Sequence, residues 1–142
     1  MIEIPKHLII ALEEIGEAEI AGEDFNTRIA EYLETVDMIA NDEIPWCAAF
    51  VNWCLNKAEI FGTALPNAKS YLEWGYNITQ PVVGAITVFD RGKHSWQGHV
   101  GFFLDQSDNY VYIIGGNQSN RVSIRPYNKN KLVGYRWSPK LP

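Results

Sequence analysis

Residues 45–61 read PWCAAFVNWCLNKAEIF. Trp46, Ala48, Ala49, Phe50, Val51, Trp53 and Leu55 make the stretch apolar on nearly every side, which predicts a helix from Trp46 to about Phe61 at the centre of a domain. Pro45 suits its opening and Gly62 its stop. The chain's two cysteines, Cys47 and Cys54, both lie on this segment. On one helix they are separated by a rise of about 10.5 Å, more than the roughly 7 Å that bridged Cα atoms tolerate. Both are therefore expected as free thiols. They are not equivalent, however. Cys47 falls in the first helical turn, where unpaired N–H groups and the macrodipole favour a thiolate and suit an oxyanion beside it. Cys54 lies about two turns in, on wholly apolar surroundings, where a thiol is inert.

Upstream, Leu8, Ile9, Leu12, Ile15 and Ile20 repeat at helical spacing, which predicts a helix over 5–20 opened by Pro5 and weakened late by Gly16 and Gly22. A second helix is predicted from 27 to about 38, with Ile29, Tyr32, Leu33 and Val36 on one face, and residues 41–43 (NDE) read as a loop. Downstream, NAKSYLEWG at 67–75 predicts a shorter helix ending at Gly75. After residue 80 the texture changes. GAITVFDR, HVGFFLD, NYVYIIGG, RVSIRPY and LVGYRW are β-branched and aromatic runs parted by Gly, Asn and Asp, the pattern of an antiparallel sheet. Helices first and strands afterwards predict an α+β fold, in one domain over 1–142 without repeats or linkers.

The chain has 142 residues, 46% hydrophobic and 20% charged, enough for a proper core. A net charge of −5 and the absence of any basic run argue against nucleic acid as a partner. Glu13, Glu14, Glu17, Glu19, Glu23 and Asp24 read as a solvated face. No stretch is long enough for a transmembrane segment. The opening MIEIPKHLIIALEEIGEAEIAG does not read as a signal peptide, because its apolar run LIIAL is short and broken by glutamates. Synthesis in the cytoplasm without a signal peptide is the expectation, and a monomer the expected state.

A nucleophilic Cys47 needs a base among three histidines. His7, at the start of the first helix, reads as a surface or capping residue. His94 falls in the polar loop DRGKHSWQG. His99 opens the strand HVGFFLD, a rigid platform for a base. If that strand pairs with NYVYIIGG through a tight loop at 105–109, His99 faces roughly Gly115, and Asn117 lies within about one residue pair of it. Asn117 can then accept from the ring, although GGNQSN also reads simply as a turn. Two Cys and three His without CxxC or HExxH spacing leave no metal or other cofactor expected.

The order EIPWCAAFVNWCL, GHVGFFL, GGNQSNRVSI and LVGYRW resembles the papain-like cysteine peptidases and amidases of the CHAP and NlpC type, over nearly the whole chain. That resemblance implies a papain-like fold, with a central buried helix packed on an antiparallel sheet. It implies hydrolysis of bacterial peptidoglycan by an N-acetylmuramoyl-L-alanine amidase or an endopeptidase, as in phage endolysins that reach the wall through a holin or another non-Sec route. By position it makes Cys47 the nucleophile, His99 the base and Asn117 the orienting residue. Many relatives have an acidic residue third, and Gln118 and Asn120 stand close enough to compete for that place. Asn26, Tyr32 and Trp46 are candidate oxyanion donors beside the Cys47 N–H, and Trp46, Trp74 and Trp96 are candidate substrate-groove residues, with Trp53 and Trp137 in the core. The same chemistry fits a secreted antibacterial effector, and the fold alone fits a non-catalytic wall-binding module.

Overall fold

Local sequence signals set the helices, and tertiary hydrogen bonds decide where they end. A computed structural model describes residues 3–20, 26–39 and 45–141; Gly22, Glu23, Asp24 and the loop expected at 41–43 lie outside these. Among the described residues the helices are α1 (Lys6–Glu13), α2 (Thr27–Glu34), α3 (Cys47–Lys57) and the 3-10 helices Ala68–Glu73 and Lys129–Lys131. Asn26 caps α2, its Oδ1 accepting from the N–H groups of Arg28 (2.7 Å) and Ile29 (3.2 Å).

α1 is shorter than the 5–20 pattern predicts. Past Glu14 the chain turns at Gly16 (φ 100°) and pairs its backbone with a distant loop instead. The N–H of Gly16 donates to the carbonyl of Val122, that of Val122 to Glu17, and that of Glu19 to Asn120. α3 also stops before Phe61: the Ile60 N–H reaches back to the Leu55 carbonyl (2.9 Å), with Glu59 at φ 62°, which closes the end. The segment at 67–75 forms a 3-10 helix, and Gly75 (φ 61°) ends it where a Cβ would strike the Trp137 carbonyl.

The strands are β1 (Tyr76–Ile78), β2 (Ile86–Asp90), β3 (Gly98–Gln106), β4 (Tyr110–Gly115), β5 (Ser123–Asn128) and β6 (Leu132–Trp137). They form one antiparallel sheet in the order β1-β6-β2-β3-β4-β5. The architecture is α+β. Every residue of α3 from Cys47 to Leu55 is buried, between α1 and α2 on one side and β3 and β4 on the other. Phe50, Val51 and Leu55 meet Val100, Phe102 and Ile114 in this core, while Phe89, Phe103, Val111, Ile113, Tyr135 and Trp137 form a second cluster.

His7 is a correction to the sequence reading. It is fully buried, its Nε2 bonded to the Gly84 carbonyl at 2.8 Å and its ring 5.0 Å from Phe102. Burial pushes its pKa below the ordinary histidine value, against the raising effect of the Gly84 bond.

Candidate active site

Helix α3 begins at Cys47, which puts this residue in the first turn, where backbone N–H groups lack intrahelical partners. Trp46 precedes it as the N-cap residue, and the Trp46 carbonyl accepts the Phe50 N–H at 3.0 Å. Cys47 is buried and bonded to the His99 side chain and the Val100 backbone. Burial alone would raise its pKa. The charge of His99 and its hydrogen bond, then the Val100 bond and the Arg91 guanidinium, outweigh that and hold the thiol below its usual range. Cys54 takes the opposite course: it is fully buried, and desolvation followed by the Glu14 carboxylate pushes its pKa well up.

His99 is the second residue of β3, buried and paired across the sheet with Phe89. Its Nε2 lies 2.8 Å from Gln118 Oε1. The Gln118 amide is itself fixed, because its Nε2 donates to the Ser123 carbonyl at 2.7 Å. The Gln118 oxygen therefore faces the ring as an acceptor, which places the proton on His99 Nε2. Nδ1 is left to face the sulfur, without a proton in the neutral ring and ready to take one.

Gln118, not Asn117, is thus the side chain on the ring. The β3–β4 register has Phe102 opposite Ile114, with an irregularity between Phe103 and Asp105, so the ladder runs about two residues further along than a tight loop at 105–109 would give. Asn117 takes a left-handed turn conformation (φ 57°), and the next residue swings inward. Gly116 makes the approach possible, since a Cβ there would stand 2.7 Å from Phe50 Cβ and 2.8 Å from the Trp46 ring. Gln118 closes the turn through its N–H to the Arg121 carbonyl and by accepting the Ser123 hydroxyl.

Tyr127 on β5 was not foreseen at all. Its ring stacks on His99 (centroids 4.9 Å apart, planes at 18°), with its hydroxyl 3.2 Å from Nε2.

The three candidate oxyanion side chains are committed elsewhere. Asn26 Nδ2 donates to Glu17 and to the Ala18 carbonyl, Tyr32 to Glu14, and Trp46 Nε1 to Glu19. Trp46 is also 1% exposed and stacked on Tyr32, so it is core and not groove. Trp74 lines a separate cleft of about 380 Å³ with Phe61, Tyr76 and Lys140, its Nε1 donating to the Phe61 carbonyl. Trp96 differs from both. It is 70% exposed, stacked on His94, on the loop that runs directly into His99. Lys69 anchors that loop through Asp90 (2.6 Å) and the Ser95 carbonyl. Trp53 and Trp137 are buried. A cavity of about 830 Å³ between the start of α1 and the segment 76–83 is lined by none of Cys47, His99 and Gln118. Among the described residues no cluster of three or more His, Cys, Asp or Glu is placed to hold a metal, and no helix is long and apolar enough to cross a membrane.

The CHAP domain model matches residues 39–117, more than half the chain, from just before α3 to the turn that follows β4. The chain belongs to the CHAP domain family. Its fold is of the papain-like CHAP/NlpC type, as two solved structures also indicate. The wild-type endolysin LysIME-EF1 superposes with a TM-score of 0.63 at 14% identity, over 98% of this chain and 65% of its own. An NLP/P60-family protein described as similar to lipoprotein, from Staphylococcus aureus subsp. aureus Mu50, gives 0.54 at 16% identity, over 94% of this chain and 41% of its own. The chain thus spans less than two thirds of either. No curated protein matches it in sequence.

Proposed function

We propose that this CHAP domain is a cysteine-dependent peptidoglycan hydrolase, in which Cys47 is the nucleophile, His99 the acid–base and Gln118 the group that orients it. The observation that carries this reading is the relay of Cys47, His99 and Gln118 at the start of a buried helix. Membership of the family directs it to the bacterial wall.

His99 Nδ1 takes the Cys47 proton, and both ring N–H groups of the imidazolium are then bonded, one to the thiolate and one to the Gln118 carbonyl. The thiolate attacks an amide carbonyl, and the oxyanion forms beside the first-turn N–H groups of α3. Nδ1–H protonates the leaving amine as the C–N bond breaks, which leaves a thioester on Cys47. A water molecule that gives its proton to Nδ1 then attacks the thioester. The products are the acid and a restored thiol. The neutral Gln118 fixes the ring without adding a charge to it. Trp96 offers an aromatic surface at the rim for a sugar or stem peptide.

The setting that fits best is a phage endolysin that reaches the wall through a holin or another non-Sec route; one of the two similar structures is an endolysin. Mass spectrometry of the soluble muropeptides released from purified peptidoglycan tests the reaction and identifies the bond. New free L-alanine amines mark an amidase, and cleavage within the stem or bridge marks an endopeptidase. Release of neither by the wild-type protein sinks the proposal.

A further inference from the structure

In its own plane His99 is held by the Cys47 contact and by a hydrogen bond from Nε2 to Gln118 at 2.8 Å. In-plane contacts leave the ring free to rock about the line that joins them. Tyr127 closes the remaining freedom from one face, and Phe89 backs Tyr127 in turn, with centroids 4.9 Å apart and planes at 26°. Phe89 is fully buried and is also the cross-strand partner of His99, so the stack is anchored in the sheet at both ends. We infer that Tyr127 is a positioning residue for the thiol chemistry: its stacked ring keeps the His99 imidazole aimed at Cys47 and stabilises that imidazole when it is protonated.

The inference rests on Cys47 and His99 being the reacting pair proposed above. The hydroxyl contact at 3.2 Å does not explain the arrangement. With the two planes only 18° apart, the hydroxyl stands over the imidazole, whereas the Nε2–H lies in the ring plane and is directed at Gln118. What Tyr127 offers is an electron-rich face, which attracts a cation lying against it. Tyr127 is no base itself: burial and then the Cys47 thiolate push its pKa up to about 12.

The charged and titratable groups around the ring make this face matter. Cys47 approaches from α3, Arg91 follows β2, and Arg125 lies two residues from Tyr127 on β5, its guanidinium bonded to Ser119 Oγ. The Lys69–Asp90 pair stands across Gly98, where a Cβ would come within 2.9 Å of Lys69 Cγ. Arg91 favours the Cys47 thiolate, and Arg91 and Arg125 both act on Tyr127. The stack adds an electron-rich face to the imidazolium that pairs with the thiolate.

The test is the pH dependence of iodoacetamide alkylation at Cys47, read by peptide mass spectrometry in the wild type, Tyr127→Phe and Tyr127→Leu, with circular dichroism as the folding control. Tyr127→Phe, which keeps the face, is expected to stay within about 2-fold of the wild type with an unchanged profile. Tyr127→Leu is expected to label about 10-fold more slowly near neutral pH, its profile displaced upward. On peptidoglycan the same variant loses kcat with KM unchanged. Tyr127→Met, of similar reach, replaces the leucine variant if that one does not fold. A folded variant without the ring that keeps the wild-type profile overturns the inference, and so does a Phe variant displaced as far as the Leu variant. If the wild type itself titrates as an ordinary thiol, the nucleophile reading fails first and the role of Tyr127 falls with it.

Discussion

Cys47 and Cys54 share a helix and a fully buried setting, yet their thiols are driven in opposite directions. The difference is what meets each sulfur: a histidine and a backbone N–H for one, desolvation and a carboxylate for the other. This much was legible in the sequence, because position on a helix follows from spacing alone. The third member of the relay was not. Asn117 and Gln118 are neighbours in a polar turn, and which of them points inward depends on the left-handed conformation at Asn117 and on a register offset that no residue pattern marks. Gln118→Leu, which keeps bulk and removes the carbonyl, is expected to lower kcat by roughly 10²-fold, with Asn117→Ala changing it by less than about 3-fold. Equal losses in steady-state kinetics would return the role to the turn as a whole. His7 carries a stability prediction. Its folded pKa is depressed, so the unfolded chain binds the proton first as pH falls. Stability is complete above the ordinary histidine value of about 6.5 and declines below it, with a slope approaching about 1.4 kcal/mol per pH unit until the folded form also titrates. Urea unfolding of the wild type and His7→Gln between pH 7.5 and 5 should show that slope shrinking in the variant.

Among the elements, α3 and the five runs after residue 80 announced themselves through all-round apolarity and through alternating β-branched and aromatic residues. β1 did not. Three residues, Tyr76–Ile78, carry no pattern, and it is β6 that makes them a strand. The end of α1 was equally hidden, since residues 16–19 leave the helical pattern to hydrogen-bond residues 120–122. That tie serves the site, for it braces the loop that carries Gln118. Gly116 occupies the tightest point of the same turn, against Trp46 and Phe50. Gly116→Ala must push α3 and the turn apart, at a cost of about 1–3 kcal/mol, and withdraw Gln118 from His99. Thermal unfolding and peptidoglycan assays read the two effects. Unchanged melting with full activity would mean that the turn tolerates a wider spacing. Tyr127 escaped sequence reasoning for a related reason: in RVSIRPY nothing identifies the face that turns toward His99.

At the scale of the molecule, one helix brings Cys47, the proposed nucleophile, and one sheet brings the side chains grouped around it. His99 comes from β3, Gln118 from the turn after β4 and Tyr127 from β5, so the strand order sets the site. The α+β arrangement was readable from the succession of helices and strands, because segregated elements of this kind pack as layers. The aromatic surface was read less well. Of the three tryptophans expected at a groove, the fold buries Trp46, sends Trp74 to another cleft and leaves only Trp96 exposed beside the strand that carries His99. Five tryptophans cannot be sorted by composition, since a core and a binding face use the same residue. Every role proposed for the site depends on Cys47 cutting amide bonds of the bacterial wall. The most direct test measures new amino groups released from purified peptidoglycan by the wild type and by Cys47→Ala, each verified as folded. Steady release is expected from the wild type and none above background from the variant; equal release by both, or none by the wild type, would remove Cys47 from the reaction.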